Sequence, residues 1–376
     1  MSCMSKRRLD TDPWYRVKDE EILPTPSVLV YPVRIRENIR RMIDMAGNAD
    51  RLRPHVKTHK TKELIRMQLD LGITRFKCAT LAEVEMVAAA GGSDILLAYP
   101  LLGPSVQRFL DIMDRHPEIR LAVTADSKEG VQELGRTCRD TGKQADLFVD
   151  LDVGMHRTGI LPGDAMDLIN LILSEKGLSF KGLHLYDGHI HETDPEERRL
   201  HSEKEFRDVQ LLIDALMNRG IDIEELACGG TPTFPIHARH SERTLCPGTP
   251  VLWDAGYGQA FPDLDFLPAA VLAGRVISRP AGHLCIDLGY KAVASEMPHP
   301  RVQFLNLEHN EFLNHSEEHM VVASPTEDQI PIGQVIYALP MHICPTMALQ
   351  DRVWVVKEGQ ISGNWEVVAR NRNFTS

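Results

Sequence analysis

Three places in the sequence carry residues whose types and spacing could do covalent or metal chemistry. The first is RLRPHVKTHK (51–60), which overlaps an apolar run, LRPHVK (52–57), that reads as a strand. A lysine turned into a protein interior is costly to hold charged, so it tends toward the neutral amine. Schiff-base chemistry with a carbonyl needs that neutral amine, which makes Lys57 a candidate nucleophile. The same spacing also describes a basic surface loop. The second place is LPMHICPTMAL (339–349), where His342 and Cys344 stand two apart. On a strand, the two-residue period puts both side chains on one face. Imidazole with thiolate suits a borderline-soft ion such as zinc, although a buried cysteine beside a surface histidine has the same spacing. The third is a pair of glycine loops, ACGGTPT (227–233) and CPGTP (246–250). Glycines let backbone N–H groups approach an anion closely and Thr231 adds a hydroxyl, but ordinary turns use the same residues.

These residues need a scaffold, and the pattern of the chain supplies one. From about residue 25 to 250, short apolar runs alternate with helical periodicity. The strand candidates are SVLVYP (27–32), LRPHVK, FKCA (76–79), DILLAYP (94–100), LAVTAD (121–126), ADLFVDLDVG (145–154), FKGLHLYDG (180–188) and ELACGG (225–230). After the first, Ile35, Ile39, Met42, Ile43 and Ala46 follow helical spacing, and the polar stretch 194–219 reads as a long helix. Eight strand–helix units predict an α/β fold of the (β/α)8 TIM-barrel type, with an open doubly wound sheet as the alternative. In a barrel the C-terminal strand ends hold the active site, and Lys57 falls at such an end. Beyond about 265 the runs are rich in Val and Ile and broken by Pro, Gly, His and Asn, which predicts an antiparallel β domain. The expected division is a barrel over 22–265 and a β-rich domain over 266–376, with residues 1–21 packing on the latter.

Bulk composition narrows the class. Of 376 residues, 43% are apolar and 25% charged, so the chain is not disordered throughout. Lys plus Arg number 42 against 53 Asp plus Glu, a net charge of −11 that argues against a nucleic-acid partner. No apolar run approaches the roughly 20 residues a membrane span needs. The N-terminal MSCMSKRRLD has no apolar stretch behind it to act as a secretory signal, which points to a cytoplasmic protein. Seven scattered cysteines without a C-x-x-C pattern argue against a disulfide framework.

RPHVKTHK resembles the cofactor-lysine segment of the D-threonine aldolase and D-serine dehydratase family, fold-type III pyridoxal-phosphate (PLP) enzymes related to alanine racemase. Similar segments follow in the family's order along nearly the whole chain. The resemblance implies that Lys57 is the Schiff-base lysine. In DVGMHRTGI (152–160), Arg157 is the residue that meets the cofactor's phenolic oxygen. In GLHLYDGHI (182–190), Tyr186 lies against the pyridine ring and His189 faces the substrate. Gly229, Gly230, Thr231, Gly248 and Thr249 correspond to the phosphate cup. Racemases carry an arginine facing the pyridine nitrogen where this chain has Cys246; a neutral neighbour leaves that nitrogen unprotonated unless another group supplies the proton. His342 and Cys344 match a divalent-metal pair, with zinc favoured and manganese or magnesium also compatible.

The aldolase branch of the family carries His-x-Asp at this pair and the dehydratase branch His-x-Cys. The implied activity is therefore a PLP- and metal-dependent dehydratase of β-hydroxy-D-amino acids. D-Serine or 3-hydroxy-D-aspartate would give a 2-oxo acid and ammonia, with Lys57 or His59 taking the α proton. The alternative is a D-threonine aldolase releasing glycine and acetaldehyde. An amino-acid racemase ranks third, since no second base can be placed. A non-catalytic PLP carrier would stop after the barrel, and a metal-only barrel hydrolase would need histidines that SVLVYP lacks. The resemblance further implies a homodimer that binds a small D-amino acid and no membrane.

Overall fold

A computed structural model describes residues 13–325 and 329–373. Seven parallel strands make one sheet, in sequence order: Arg75–Cys78, Asp94–Leu97, Arg120–Ala125, Ala145–Leu151, Leu178–Leu185, Glu225–Cys228 and Arg243–Leu245. Helices cross over between successive strands, starting from side-chain caps such as Thr80 on the Glu83 N–H and Ser127 on the Gly130 N–H. The polar stretch near 200 is the helix Pro195–Asn218, which buries Phe206, Val209, Leu212 and Leu216 along one stripe.

The sheet curls until its two edges are bridged by one segment. Leu52 pairs in parallel with Leu245, and His55 with Lys77. Backbone hydrogen bonds run from Arg53 to Leu245, from His55 to Pro247 and from Lys77 to Pro54. Pro54 has no N–H, so this eighth position is irregular rather than a full ladder. The buried Arg53 side chain anchors it at the barrel base: Nε and Nη2 each donate to Glu225 at 2.7 Å, and Nη1 lies 2.8 Å from Asp94.

Among the described residues the barrel sheet has seven strands where eight were expected, the segment 52–55 closing it in the eighth position, and the frame moves by one. SVLVYP is not a barrel strand: Ser27–Val30 runs antiparallel to Ala270–Ser278 and parallel to Arg352–Lys357 in the second sheet. All four of its residues are buried. A short apolar run buried on both faces reads alike in either sheet, so hydropathy could not assign it. The strand that takes its place, Arg243–Leu245, has only three residues and no apolar signature.

The second sheet has nine strands and is otherwise antiparallel, as the Val- and Ile-rich texture predicts. Residues 13–21 lie on it: the Tyr15 hydroxyl donates to the Leu305 carbonyl, and the Lys18 N–H to that of Gly359. Positions 1–12 of the N-terminal segment, Cys3 among them, and 326–328 of the turn-rich 325–333 lie outside the described residues. The six described cysteines are all free. Among the described residues, no helix is long and apolar enough to cross a membrane.

Candidate active site

At the C-terminal ends of the barrel strands lies a cleft of ≈ 790 Å³, walled on one side by the second domain. It brings together Lys57, Arg157, Tyr186, Gly230, Thr231, Gly248, Thr249, His342 and Cys344. Gly229 stands directly behind Gly230. Lys57 sits in a single helical turn, Val56–Thr58, that follows the barrel-closing segment. Its N–H donates to His55 Nδ1 at 3.4 Å. Burial holds its amine below the ordinary lysine value, against the opposing pull of Cys344. Arg157 projects from a loop that Asp152 organises by accepting from the Gly154 and His156 N–H groups at 3.0 and 2.9 Å.

Tyr186 is the flat wall of the cleft. Lys57 Nζ lies 5.3 Å from its ring centroid and Arg157 Cζ 5.1 Å. Two glycines grip the ring edges: a Cβ on Gly188 would lie 2.3 Å from Tyr186 Cε1, and one on Gly230 only 2.8 Å from Cε2. Gly229 has φ +73°, and a Cβ there would meet His237 Cδ2 at 2.5 Å. The loop 229–233 is tied down from below. Thr233 donates to Asp187 Oδ1 at 2.8 Å, while His237 Nε2 lies 2.8 Å from Asp187 Oδ2 and its Nδ1 2.9 Å from Arg243. Thr231 Oγ1 accepts from the N–H groups of Gly248 and Thr249, each at 3.3 Å, which joins the two glycine loops. Cations beside an aromatic wall, with a glycine cradle that side chains would fill, suit a phosphorylated aromatic ligand.

The His342–Cys344 pair does come together, but not on a strand. The strand Val335–Pro340 ends before it; His342 directly precedes the helix Ile343–Leu349 and Cys344 lies in that helix's first turn. Buried Asp254 pins this turn by accepting from the Ile343 N–H at 2.9 Å. Burial alone would lower His342, yet hydrogen bonds to Cys344 and to Glu296 (2.5 Å from Nδ1) push it up to about 9. Burial would raise the Cys344 thiol, but His342 and Thr58 outweigh it and hold the thiol below its usual value. Thiolate character beside an imidazole suits a soft or borderline divalent ion. Among the described residues, no third His, Cys, Asp or Glu completes a ligand set, so a bound ion would keep open positions. Cys344 Sγ lies 3.2 Å from Thr58 Oγ1, which sets the pair against the turn that carries Lys57.

Two of the expected residues do not reach the cleft. The buried His59 ring points away from it, with Nδ1 accepting from the Thr61 N–H at 3.2 Å. The His189 ring packs edge-on against His201, centroids 5.4 Å apart, under Gly154. Thr58, next to His59, and Tyr186, three residues before His189, take the cleft-facing positions. Sequence reading also missed Tyr257, which lines the cleft from the helix Ala255–Ala260, and the ion pair of Lys60 with buried Glu83. It missed the buried row Lys77, His184 and Asp150 as well; inward positions on Arg75–Cys78, Leu178–Leu185 and Ala145–Leu151 were its only signal.

Comparison with known proteins accords with this geometry. The family "Alanine racemase, N-terminal domain" matches residues 32–249, and the "Putative serine dehydratase domain" matches 269–356. A D-threonine aldolase from Arthrobacter sp is 29% identical over 358 residues, which is 92% of each chain. A D-threo-3-hydroxyaspartate dehydratase from Delftia sp. (strain HT23) is 29% identical over 215 residues, 56% of each chain. The crystal structure of D-threonine aldolase from Filomicrobium marinum superposes with a TM-score of 0.87 at 25% identity, covering 96% of this chain and 99% of that one. The chain belongs to the alanine racemase N-terminal-domain family, with a serine dehydratase-type domain following its barrel.

Proposed function

We propose that this enzyme is a PLP-dependent lyase of β-hydroxy-D-amino acids that removes the β-hydroxyl, with D-serine or 3-hydroxy-D-aspartate as substrate. The observation that carries this reading is the docking of the His342–Cys344 pair on the Lys57 turn through Thr58, 3.2 Å from Cys344. One cleft thereby offers a buried amine and a metal-ligating pair to the same small molecule. PLP, when bound, supplies an electron sink for the pair left on a substrate α carbon, and a divalent metal supplies a Lewis acid for the β-hydroxyl.

The chain's own residues divide the remaining work. Lys57 attaches the cofactor and then, its amine disfavoured as a cation by burial, accepts the α proton at Nζ. The Tyr186 face orients the ring, and Arg157 stands beside it to meet the phenolic oxygen. Gly230, Gly248 and Thr249 line the space for the phosphate with Gly229 next to them in the chain, and Thr231 holds the two loops together by accepting from the Gly248 and Thr249 N–H groups. His342 and Cys344 would hold the metal, zinc by donor type, with Asp254 fixing their turn. His59 and His189 take no part in this scheme.

A second reading, D-threonine aldolase, is favoured by the full-length similarity to the Arthrobacter enzyme. Cys344, where the aldolase branch carries aspartate, favours the dehydratase. Product analysis with D-serine, 3-hydroxy-D-aspartate and D-threonine, with and without chelator, separates the two. Ammonia and a 2-oxo acid support the dehydratase; glycine and an aldehyde without ammonia overturn it.

A further inference from the structure

Below Tyr186 lies a cation that the scheme above does not use. Lys77 is 1% exposed on the inner face of Arg75–Cys78, with its Nζ 5.7 Å from the Tyr186 ring centroid. Its direct polar neighbours are His184 Nε2 at 3.4 Å and the side chain of Cys246. His184 Nδ1 is in turn 2.6 Å from Asp150 Oδ1, and Thr158 donates to Asp150 Oδ2 at 2.9 Å. Among the described residues no carboxylate reaches ion-pair distance of Nζ; the nearest, Asp150, acts through the imidazole. Lys57 and His55 stand above, on the barrel-closing segment, and Arg157 stands across the Tyr186 ring. A buried cation without a contacting anion is costly, and the Arg157 guanidinium across the same ring adds a second positive charge. An anionic ligand in the cleft removes the imbalance, and PLP carries both a phosphate and a phenolic oxygen. Cys246, which lines the cleft and touches Lys77, connects the row to that space.

We propose that Lys77, seated by His184 and Asp150, is a second cation beside Arg157 for the anionic cofactor, acting through Cys246 and setting its electronic state. This rests on the PLP reading and refines it: the cysteine at the position of the racemase arginine is backed by an amine. Lys77 is a positioning residue rather than a catalytic one, because Cys246 stands between it and the cleft.

The test compares wild type, Lys77→Met and Lys77→Gln, each reconstituted with PLP. Methionine keeps the volume, and thermal unfolding of the cofactor-free proteins verifies folding. Both variants should still take one borohydride-reducible cofactor at Lys57. Their dissociation constants for PLP should rise roughly tenfold, as for loss of one nearby positive charge in a partly buried site. The pH midpoint of the visible absorbance should move up by about one unit, because a nearby cation disfavours the protonated chromophore and its removal lets that form persist. A structural role alone would leave this midpoint in place. Unchanged affinity and midpoint in both folded variants would overturn the role of Lys77 while leaving the PLP reading intact. Failure of wild type to take up cofactor would overturn the reading on which the proposal rests.

Discussion

Gly230→Ala tests the wedge that holds Tyr186. The added Cβ would lie 2.8 Å from Tyr186 Cε2, well inside ordinary carbon–carbon contact. The ring cannot swing away, because its opposite edge already fills the space where a Gly188 Cβ would stand, 2.3 Å from Cε1. Either the ring tilts or the 229–233 loop moves, and that loop is tied through Thr233 to Asp187. Overpacking of this kind costs about 1–3 kcal/mol. At about 2.1 cal/mol/K of unfolding entropy per residue, a chain of 376 residues falls roughly 1 °C in Tm for each kcal/mol. A tilted ring also loses its stacking on the cofactor, about 0.5–1.5 kcal/mol, or roughly a two- to twelvefold rise in Kd for PLP. The assay is thermal unfolding of the cofactor-free protein together with fluorescence titration by PLP. Gly163→Ala is the control, since a Cβ there meets nothing within 4 Å, and it should change neither quantity. Combining Gly230→Ala with Tyr186→Ala should cost less stability than the sum of the two single changes, because the clash goes with the ring. Wild-type Tm and Kd in Gly230→Ala, or simple additivity in the double variant, would refute the wedge.

Arg53→Met takes from the Glu225 carboxylate both hydrogen bonds of its closer partner, leaving Arg75 at 3.3 Å, and should cost about 3 kcal/mol in urea unfolding, whereas Arg53→Met with Glu225→Leu should recover most of it. Equal stability of the single and double variants would contradict the pairing. Cys344→Ala should lower metal content and affinity, measured by elemental analysis and by competition with a chelator, while the cofactor absorbance stays. Unchanged metal binding would remove the metal pair. Burial disfavours the charged Lys57 amine, so its neutral form exists at lower pH than in an ordinary lysine. Imine formation at Lys57, followed by absorbance, should therefore reach its half-maximum below the pH found for a free lysine amine; a midpoint at the ordinary value speaks against that burial effect. His189→Gln should leave turnover within about twofold of wild type, since the His189 ring packs against His201 outside the cleft.

The fold class was legible because eight alternations of apolar run and helix leave few topologies open. The identity of the strands was not fully legible. Ser27–Val30 pairs with strands more than 200 residues downstream, information that local hydropathy does not carry. In the site, Lys57, Arg157, Tyr186 and the glycine loops stood in recognisable motifs, and the cleft gathers them. His342 and Cys344 come together at the start of a helix and not by the strand alternation that the spacing predicts. His59 and His189 illustrate how little a motif says about direction: each lies within three residues of a cleft-lining side chain, Thr58 or Tyr186, yet turns elsewhere. Lys77, His184 and Asp150 sit one per strand with no shared motif, and only barrel closure brings them into a row.

The most direct measurement is a peptide map of the protein after reconstitution with PLP, reduction by borohydride and digestion. The account predicts a single phosphopyridoxyl group on the peptide containing Lys57. A label on Lys60 or Lys77 instead, or none at all, would contradict it.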